Sequence, residues 1–184
     1  MEQNSSPFLK SSITAGVYLG LITILISVII WAGSIIESMG LFGGAIVTFV
    51  SFVILLVLLF IFTKDFRNKK LNGFISFKDA FKFAMLAIIV STVISVIYTY
   101  IFQTLIAPDY MENLMAVMQQ KTLTYMESKG VPDAQIDKAM EQFEEIPTIW
   151  KSLKQAFTGG IIRGAIISVI IAAIVKKKEE DTIQ

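Results

Sequence analysis

Arg163 is the one charged residue inside the four longest apolar stretches of this sequence, so it is the first candidate for chemistry. A charge at membrane depth is costly, and such residues usually mark functional sites. Arg163 lies about seven residues from the start of its stretch, roughly 10 Å along a helix, and its side chain leans toward the helix N-terminus. We expect it to reach the membrane surface, to pair with Glu37 or Asp109 at the rims of other stretches, or to bind an anionic group.

The residue types that most enzymes and metal sites need are missing. The chain has neither His nor Cys, which excludes imidazole acid–base catalysis, thiolate nucleophiles and Cys/His metal sites. It has no HExxH, GxSxG, P-loop or GxGxxG motif, and no carboxylate lies inside an apolar stretch. Methionines recur at helical spacing in 108–154, which is typical of a packed face rather than of a copper site. We predict no enzyme activity, no metal and no cofactor.

Four apolar stretches define the elements that must position these residues. Each is long enough for a helix to cross ~30 Å of hydrocarbon. Hydrophobic residues make up 54% of the 184, and the net charge of +1 gives no reason to expect nucleic acid as a partner. The sequence predicts one all-α domain, an integral membrane four-helix bundle in a lipid bilayer, with spans at about 12–36, 41–63, 83–107 and 156–175.

The charges outside the stretches predict the orientation. The loop 64–82 carries six basic residues and two acidic ones, and the tail 176–184 opens with three lysines, Lys176 to Lys178. The segment 108–154 carries five basic and eight acidic residues, Glu144 among them. Because positive loops stay on the cytoplasmic side, we expect both termini, the loop and the tail to be cytoplasmic and 108–154 to be extracytoplasmic.

Small residues at helical spacing predict how the spans pack. They include Gly16 and Gly20 in the first span and Gly160, Gly164 and Ser168 in the last. In lipid, close backbone approach at such residues supplies the packing. The last span therefore packs within a compact bundle or forms the seam of a homodimer. The second span is almost entirely Val, Ile, Leu and Phe, so we expect it to face lipid more widely than the others.

The segment 108–154 reads as an amphipathic helical hairpin. Apolar residues recur along a first helix to about Lys129, Gly130 suits a left-handed helix end, and a second helix starts near Asp133. This hairpin packs on the outer mouth of the bundle, lies on the membrane, or offers a binding surface for another protein or a lipid. A second local signal is a capping box, Ser76 with Asp79, at the amphipathic start of the third span.

The sequence around the third span resembles a known family. Gly73-Phe-Ile-Ser-Phe-Lys-Asp-Ala-Phe-Lys82 precedes the span, and Ile97-Tyr-Thr-Tyr-Ile-Phe102 and Pro108-Asp-Tyr110 follow at its end. These residues resemble the uncharacterised four-span inner-membrane proteins of Bacteroidota-type bacteria called domain-of-unknown-function family 4199. The resemblance implies a bacterial inner-membrane location and carries no activity or site residues.

Two classes of function remain. One is a non-enzymatic scaffold or accessory subunit for a membrane or envelope partner, which would use the hairpin or the start of the third span. The alternative is a small oligomeric transporter or channel for an anionic or amphiphilic solute. Transporters usually carry several ionisable residues at depth, and here there is only Arg163. An inverted repeat, or a water-filled cavity that reaches Arg163, would favour transport. An intramembrane enzyme is the weakest possibility.

Overall fold

The computed structural model describes residues 5–143 and 145–177. Of the predicted tail 176–184, positions 178–184 lie outside the described residues, as does Glu144. The helices are α1 (Ser5–Ala32), α2 (Ile35–Ser38), α3 (Gly43–Lys70), α4 (Phe77–Ile101), α5 (Tyr110–Ser128), α6 (Asp133–Met140) and α7 (Ile149–Val175). A π-helical turn (Phe102–Ile106) extends α4, and a 3-10 turn (Glu141–Phe143) follows α6. Within the described ranges there is no β-strand, and the predicted all-α class is confirmed.

Four long helices, α1, α3, α4 with its π-helical turn, and α7, are long and apolar enough to cross a membrane. They extend beyond the predicted stretches because polar residues continue the helices. α3 runs on to Lys70, where Asp65 and Lys69 form an i,i+4 ion pair of 2.8 Å, so much of the predicted loop 64–82 is helical. α7 begins at Ile149, where the Thr148 hydroxyl accepts a hydrogen bond from the Lys151 N–H at 3.4 Å.

Two other helix ends follow from local sequence. The Ser76 hydroxyl caps α4 by accepting from the Asp79 N–H at 3.1 Å, as expected of a capping box. The Asp79 carboxylate, however, accepts from the Ser76 hydroxyl at 2.7 Å rather than from the Ser76 backbone. α1 ends at Ala32, four residues before the predicted limit, because Ser34 adopts a left-handed conformation with φ of 45°.

The bundle has two unequal ends. We call the end with the start of α1, the loop 71–76 and the end of α7 the basic end, and the end with α2, α5 and α6 the distal end. α4 lies at the centre and packs along both α1 and α7. The buried side chains concentrate in the basic half, among them Leu19, Leu59, Phe83, Ile171 and Val175.

The basic end is closed by interactions between residues far apart in the sequence. The Phe66 ring stacks on the Phe83 ring, with 4.5 Å between the ring centroids, and meets the Phe8 ring edge-on, with 5.4 Å between the centroids. The Arg67 guanidinium donates to the Val175 carbonyl at 2.9 Å. This bond gives a partner to one of the carbonyl groups that the C-terminal end of α7 leaves without an intrahelical donor. A single antiparallel bridge joins Ile75 to Lys177.

α3 is the most peripheral of the long helices. In the most apolar 18-residue stretch of α3, 6% of the residues are buried, against 39% in that of α4. Its buried residues are Leu59, Thr63 and Phe66 near the basic end and Gly43 at the other end. α3 is therefore the least buried of the four long helices, and its wider contact with lipid stays a prediction.

The two helices expected between α4 and α7 are present. Gly130 has φ of 67°, the left-handed helix end that the sequence predicted. The methionines Met111, Met115 and Met118 on α5 are half-buried, and α5 contacts the short α2. Ile136 of α6 is buried, and α6 packs on α5. The apolar face of this segment is thus partly covered within the protein, by α2 and by the packing of α6 on α5.

Candidate functional site

A cavity of about 360 Å³ lies between the four long helices in the distal half. Most of its lining is apolar, and hydroxyl groups and one guanidinium supply the polar part. The apolar lining comes from Leu19, Ile22, Ile26, Ile30, Trp31, Ile36, Val47, Phe52, Ile54, Leu55, Leu58, Ile88, Phe102, Ala156, Gly160 and Ile167. The polar lining comes from Thr23, Ser27, Ser51, Ser91, Thr92, Ser95, Tyr110 and Arg163.

The position of α3 explains why the space exists. Near the basic end, α3 is held by Leu59 and the buried residues that follow it. At its distal start, Gly43 lies so close to α2 that an added Cβ would sit 2.6 Å from the Ile36 carbonyl oxygen. The stretch between Val47 and Leu58 lies between these two attachments and forms one wall of the cavity.

Arg163 faces this cavity. Ala156, Gly160, Arg163 and Ile167 follow one another at steps of four, three and four residues, so they share one face of α7, and all four line the cavity. The Arg163 Nε donates to the Gly159 carbonyl at 3.1 Å, so the side chain leans toward the helix N-terminus as expected.

No described carboxylate lies within ion-pair distance of Arg163. The two ion pairs among residues 5–143 and 145–177 are Asp65 with Lys69 at 2.8 Å and Glu145 with Lys151 at 3.8 Å. The structure therefore contains no ion pair of Arg163 with Glu37 or Asp109, the two partners suggested by the sequence. Its guanidinium remains able to bind an anion inside the cavity.

The α4 wall brings hydroxyl groups to the same space. Ser91 and Thr92 are buried, and Ser95 lies one turn further along α4. Gly160 lets α7 approach so closely that an added Cβ would lie 2.8 Å from the Thr92 methyl carbon. This contact places Thr92 less than one helical turn from the level of Arg163 on α7.

Aromatic side chains line the distal end of the cavity. The Phe102 ring meets the Trp31 and Tyr110 rings edge-on, with centroid distances of 5.4 Å and 5.5 Å respectively. Burial, followed by the negative charge of Glu37, raises the pKa of Tyr110 above its usual 10.0. The Glu37 Oε2 is itself buried without a hydrogen-bond partner among the described residues. Asp109 is exposed and does not line the cavity.

The predicted packing residues lie at the contacts of α4 with its neighbours. A Cβ added at Gly16 would lie 2.5 Å from the Ala87 carbonyl oxygen, and a Cβ added at Gly20 would lie 3.0 Å from the Ile94 side chain. At Gly164 the same atom would lie 2.2 Å from Ile88 Cγ2. Ser168 is fully buried. The small-residue face of α7 is thus occupied by α4 of the same chain.

Sequence reasoning missed the lining of the cavity. Ser91, Ser95 and Trp31 are not among the residues that the sequence indicates as functional. The available signal is the hydroxyl pair Ser91–Thr92 followed by Ser95 in the otherwise apolar stretch 83–97. It becomes informative only when α7 places Arg163 beside it.

Comparison with known proteins identifies a family of unknown activity. A family model described as "Protein of unknown function (DUF4199)" matches residues 14–177. No curated protein matches the chain. No solved structure matches it either.

Proposed function

The chain belongs to the family of proteins of unknown function DUF4199, and from the geometry of its cavity we propose that it is a membrane protein that binds an anionic or amphiphilic solute as part of transport. The observation that carries the proposal is Arg163, an exposed residue that lines a cavity between candidate spans and has no described carboxylate partner. A charge within a membrane span is costly unless water, a carboxylate or a bound anion compensates it, and we propose that an anion does so here. The protein binds and moves its ligand in this proposal and does not transform it.

The proposed setting is the inner membrane of a bacterium, with both termini and the loop 71–76 in the cytoplasm and α5 and α6 outside. The charge distribution supports this orientation. Since the chain has no Cys, single cysteines can be placed freely. A membrane-impermeant thiol reagent added to intact spheroplasts should label Ser128→Cys on α5, and should label Lys70→Cys only after lysis. Labelling of Ser128→Cys from the cytoplasmic side alone would refute the orientation.

Cysteine accessibility also tests the cavity. Ser95 lines the cavity, whereas Val93, two residues earlier on α4, is 44% exposed and does not line it. A negatively charged thiol reagent added from outside should modify Ser95→Cys and leave the matched control Val93→Cys largely unmodified. Equal rates at the two positions would contradict a water-accessible cavity.

The charge of Arg163 should set the preference of this reaction for anions. Fields focused in clefts raise local counter-ion concentration by about ten- to a thousandfold. The rate ratio of a negative to a positive reagent at Ser95→Cys should therefore fall at least about tenfold when Arg163→Gln is added. An unchanged ratio would remove the support for anion binding.

The second candidate is a scaffold or accessory subunit, with a membrane protein or a second copy as partner. The observation in its favour is the exposed apolar surface just before and at the start of α7, where Trp150 is 74% and Ile146 49% exposed. Purification from native membranes should then yield a stoichiometric hetero-complex or homo-oligomer that Trp150→Ala dissociates. If the parent protein and Trp150→Ala are both monomeric after this purification, the result counts against this candidate.

A further inference from the structure

Resting on the proposed function, we infer that the ligand is a single-chain anionic lipid. Its head group binds the Arg163 guanidinium, and its hydrocarbon chain lies along the wall that α1 and α3 form. The inference depends on three features of the cavity, namely its lining, its volume and its distribution of polar groups.

The lining argues against a small hydrophilic anion. Two thirds of the side chains around the cavity are apolar, and the guanidinium is the one cationic group among them. A hydrated anion would contact hydrocarbon over most of its surface and lose hydrogen bonds there. An amphiphile satisfies both kinds of lining, since ligand sites typically combine apolar walls with a few placed polar groups.

The volume argues for one chain. With ~30 Å³ for each water-sized group, a cavity of about 360 Å³ holds roughly a dozen such groups, and a methylene group is of similar size. That is the size of one acyl chain of medium length. The two chains of a phospholipid do not both fit inside this volume, and neither does a helix of a partner protein, with a diameter of about 10 Å.

Four of the eight polar residues, the cationic one included, lie on the wall of α4 and α7, whereas α1 adds Thr23 and Ser27 to the wall of α1 and α3. Ser91, Thr92 and Ser95 of α4 and Arg163 of α7 form one wall, while α3 contributes Phe52, Leu55 and other apolar residues with Ser51 as its one polar group. A head group on the first wall can accept two hydrogen bonds from the planar guanidinium, which suits carboxylate or phosphate. The chain then lies against α3, which is the most peripheral helix and borders the bilayer in the proposed setting.

Protection of Ser95→Cys tests this inference with the full-length protein in phosphatidylcholine nanodiscs. Dodecanoate or dodecyl phosphate should slow modification of Ser95→Cys by the thiol reagent at least about tenfold. Butyrate and inorganic phosphate at the same concentrations should not slow it. The comparison of dodecanoate with dodecyl phosphate shows which head group binds better. Ser128→Cys, outside the cavity, is the control and should react at an unchanged rate.

Variants of Arg163 test the head-group contact. With Arg163→Gln, dodecanoate should protect no better than the neutral dodecanol. Arg163→Lys keeps the charge and loses the bidentate geometry, so its protection should lie between those of Arg163 and Arg163→Gln. Equal protection by dodecanol and dodecanoate in the unsubstituted background would overturn the assignment of an anionic head.

The outcomes separate this inference from the proposed function. If butyrate or inorganic phosphate protects and the dodecyl compounds do not, the lipid inference is wrong and anion binding stands. If Ser95→Cys does not react at all while Ser128→Cys does, the proposed function fails as well.

Discussion

Gly164→Ala tests the closest helix contact in the bundle. The added Cβ would lie 2.2 Å from Ile88 Cγ2 and 3.2 Å from Ile88 Cβ. Carbon atoms pack best at about 3.5–4.0 Å, so α7 must move more than about 1 Å from α4 or Ile88 must leave its rotamer. Overpacking of this kind costs about 1–3 kcal/mol, and the better helix propensity of Ala returns up to about 1 kcal/mol. We expect the free energy of unfolding to fall by about 1–2 kcal/mol.

Gly159→Ala is the matched control on the same helix. Its Cβ would meet only the Arg163 Nη2, at an ordinary distance of 3.8 Å. We expect this variant to be as stable as the parent protein or slightly more stable. The assay is equilibrium unfolding in mixed micelles of a mild detergent and sodium dodecyl sulfate, followed by the loss of helical circular dichroism.

A double-mutant cycle identifies the contact responsible. Ile88→Ala removes Cγ2 and Cδ1 of Ile88, the two side-chain atoms nearest to the new methyl group. Gly164→Ala should therefore cost at least about 1 kcal/mol less in the Ile88→Ala background, since contacting residues couple. Equal effects of Gly164→Ala and Gly159→Ala, or no coupling to Ile88→Ala, would refute the close approach of α4 and α7.

Two further predictions concern the ends of the bundle. Arg67→Gln removes the 2.9 Å hydrogen bond to the Val175 carbonyl at the basic end, and should cost about 1–2 kcal/mol in the same unfolding assay, whereas Lys69→Gln, from an exposed ion pair, should cost less than about 0.5 kcal/mol. The pKa of Tyr110 is raised above 10.0 by burial and by Glu37, so the neutral phenol favours the folded state. Its stabilising contribution should be complete below a pH of about 10 and be lost as the pH rises through the raised pKa, and Tyr110→Phe should abolish this alkaline loss in unfolding curves measured across that pH range.

Much of the fold follows from the sequence because it depends on local residues. The length and apolar content of each stretch determined the four long helices. Ser76 with Asp79 and Gly130 determined where α4 begins and α5 ends, since caps and left-handed positions involve only neighbouring residues. The high Val, Ile, Leu and Phe content of α3 identified the least buried of the long helices. The sequence also identified Arg163 as the exceptional charge.

Only the tertiary structure decided where the bundle is packed and where it is open. An apolar side chain is satisfied against lipid or protein alike, so hydropathy cannot tell which half of a helix will be buried. Gly160 contacts Thr92, and α3 lies at a distance from the other helices along its middle. Both features depend on residues far apart in the sequence, and together they create the cavity. The partner of Arg163 was undetermined for the same reason. Glu37 and Asp109 were plausible by position, but in the folded protein Arg163 lines the cavity and has no described carboxylate within ion-pair distance.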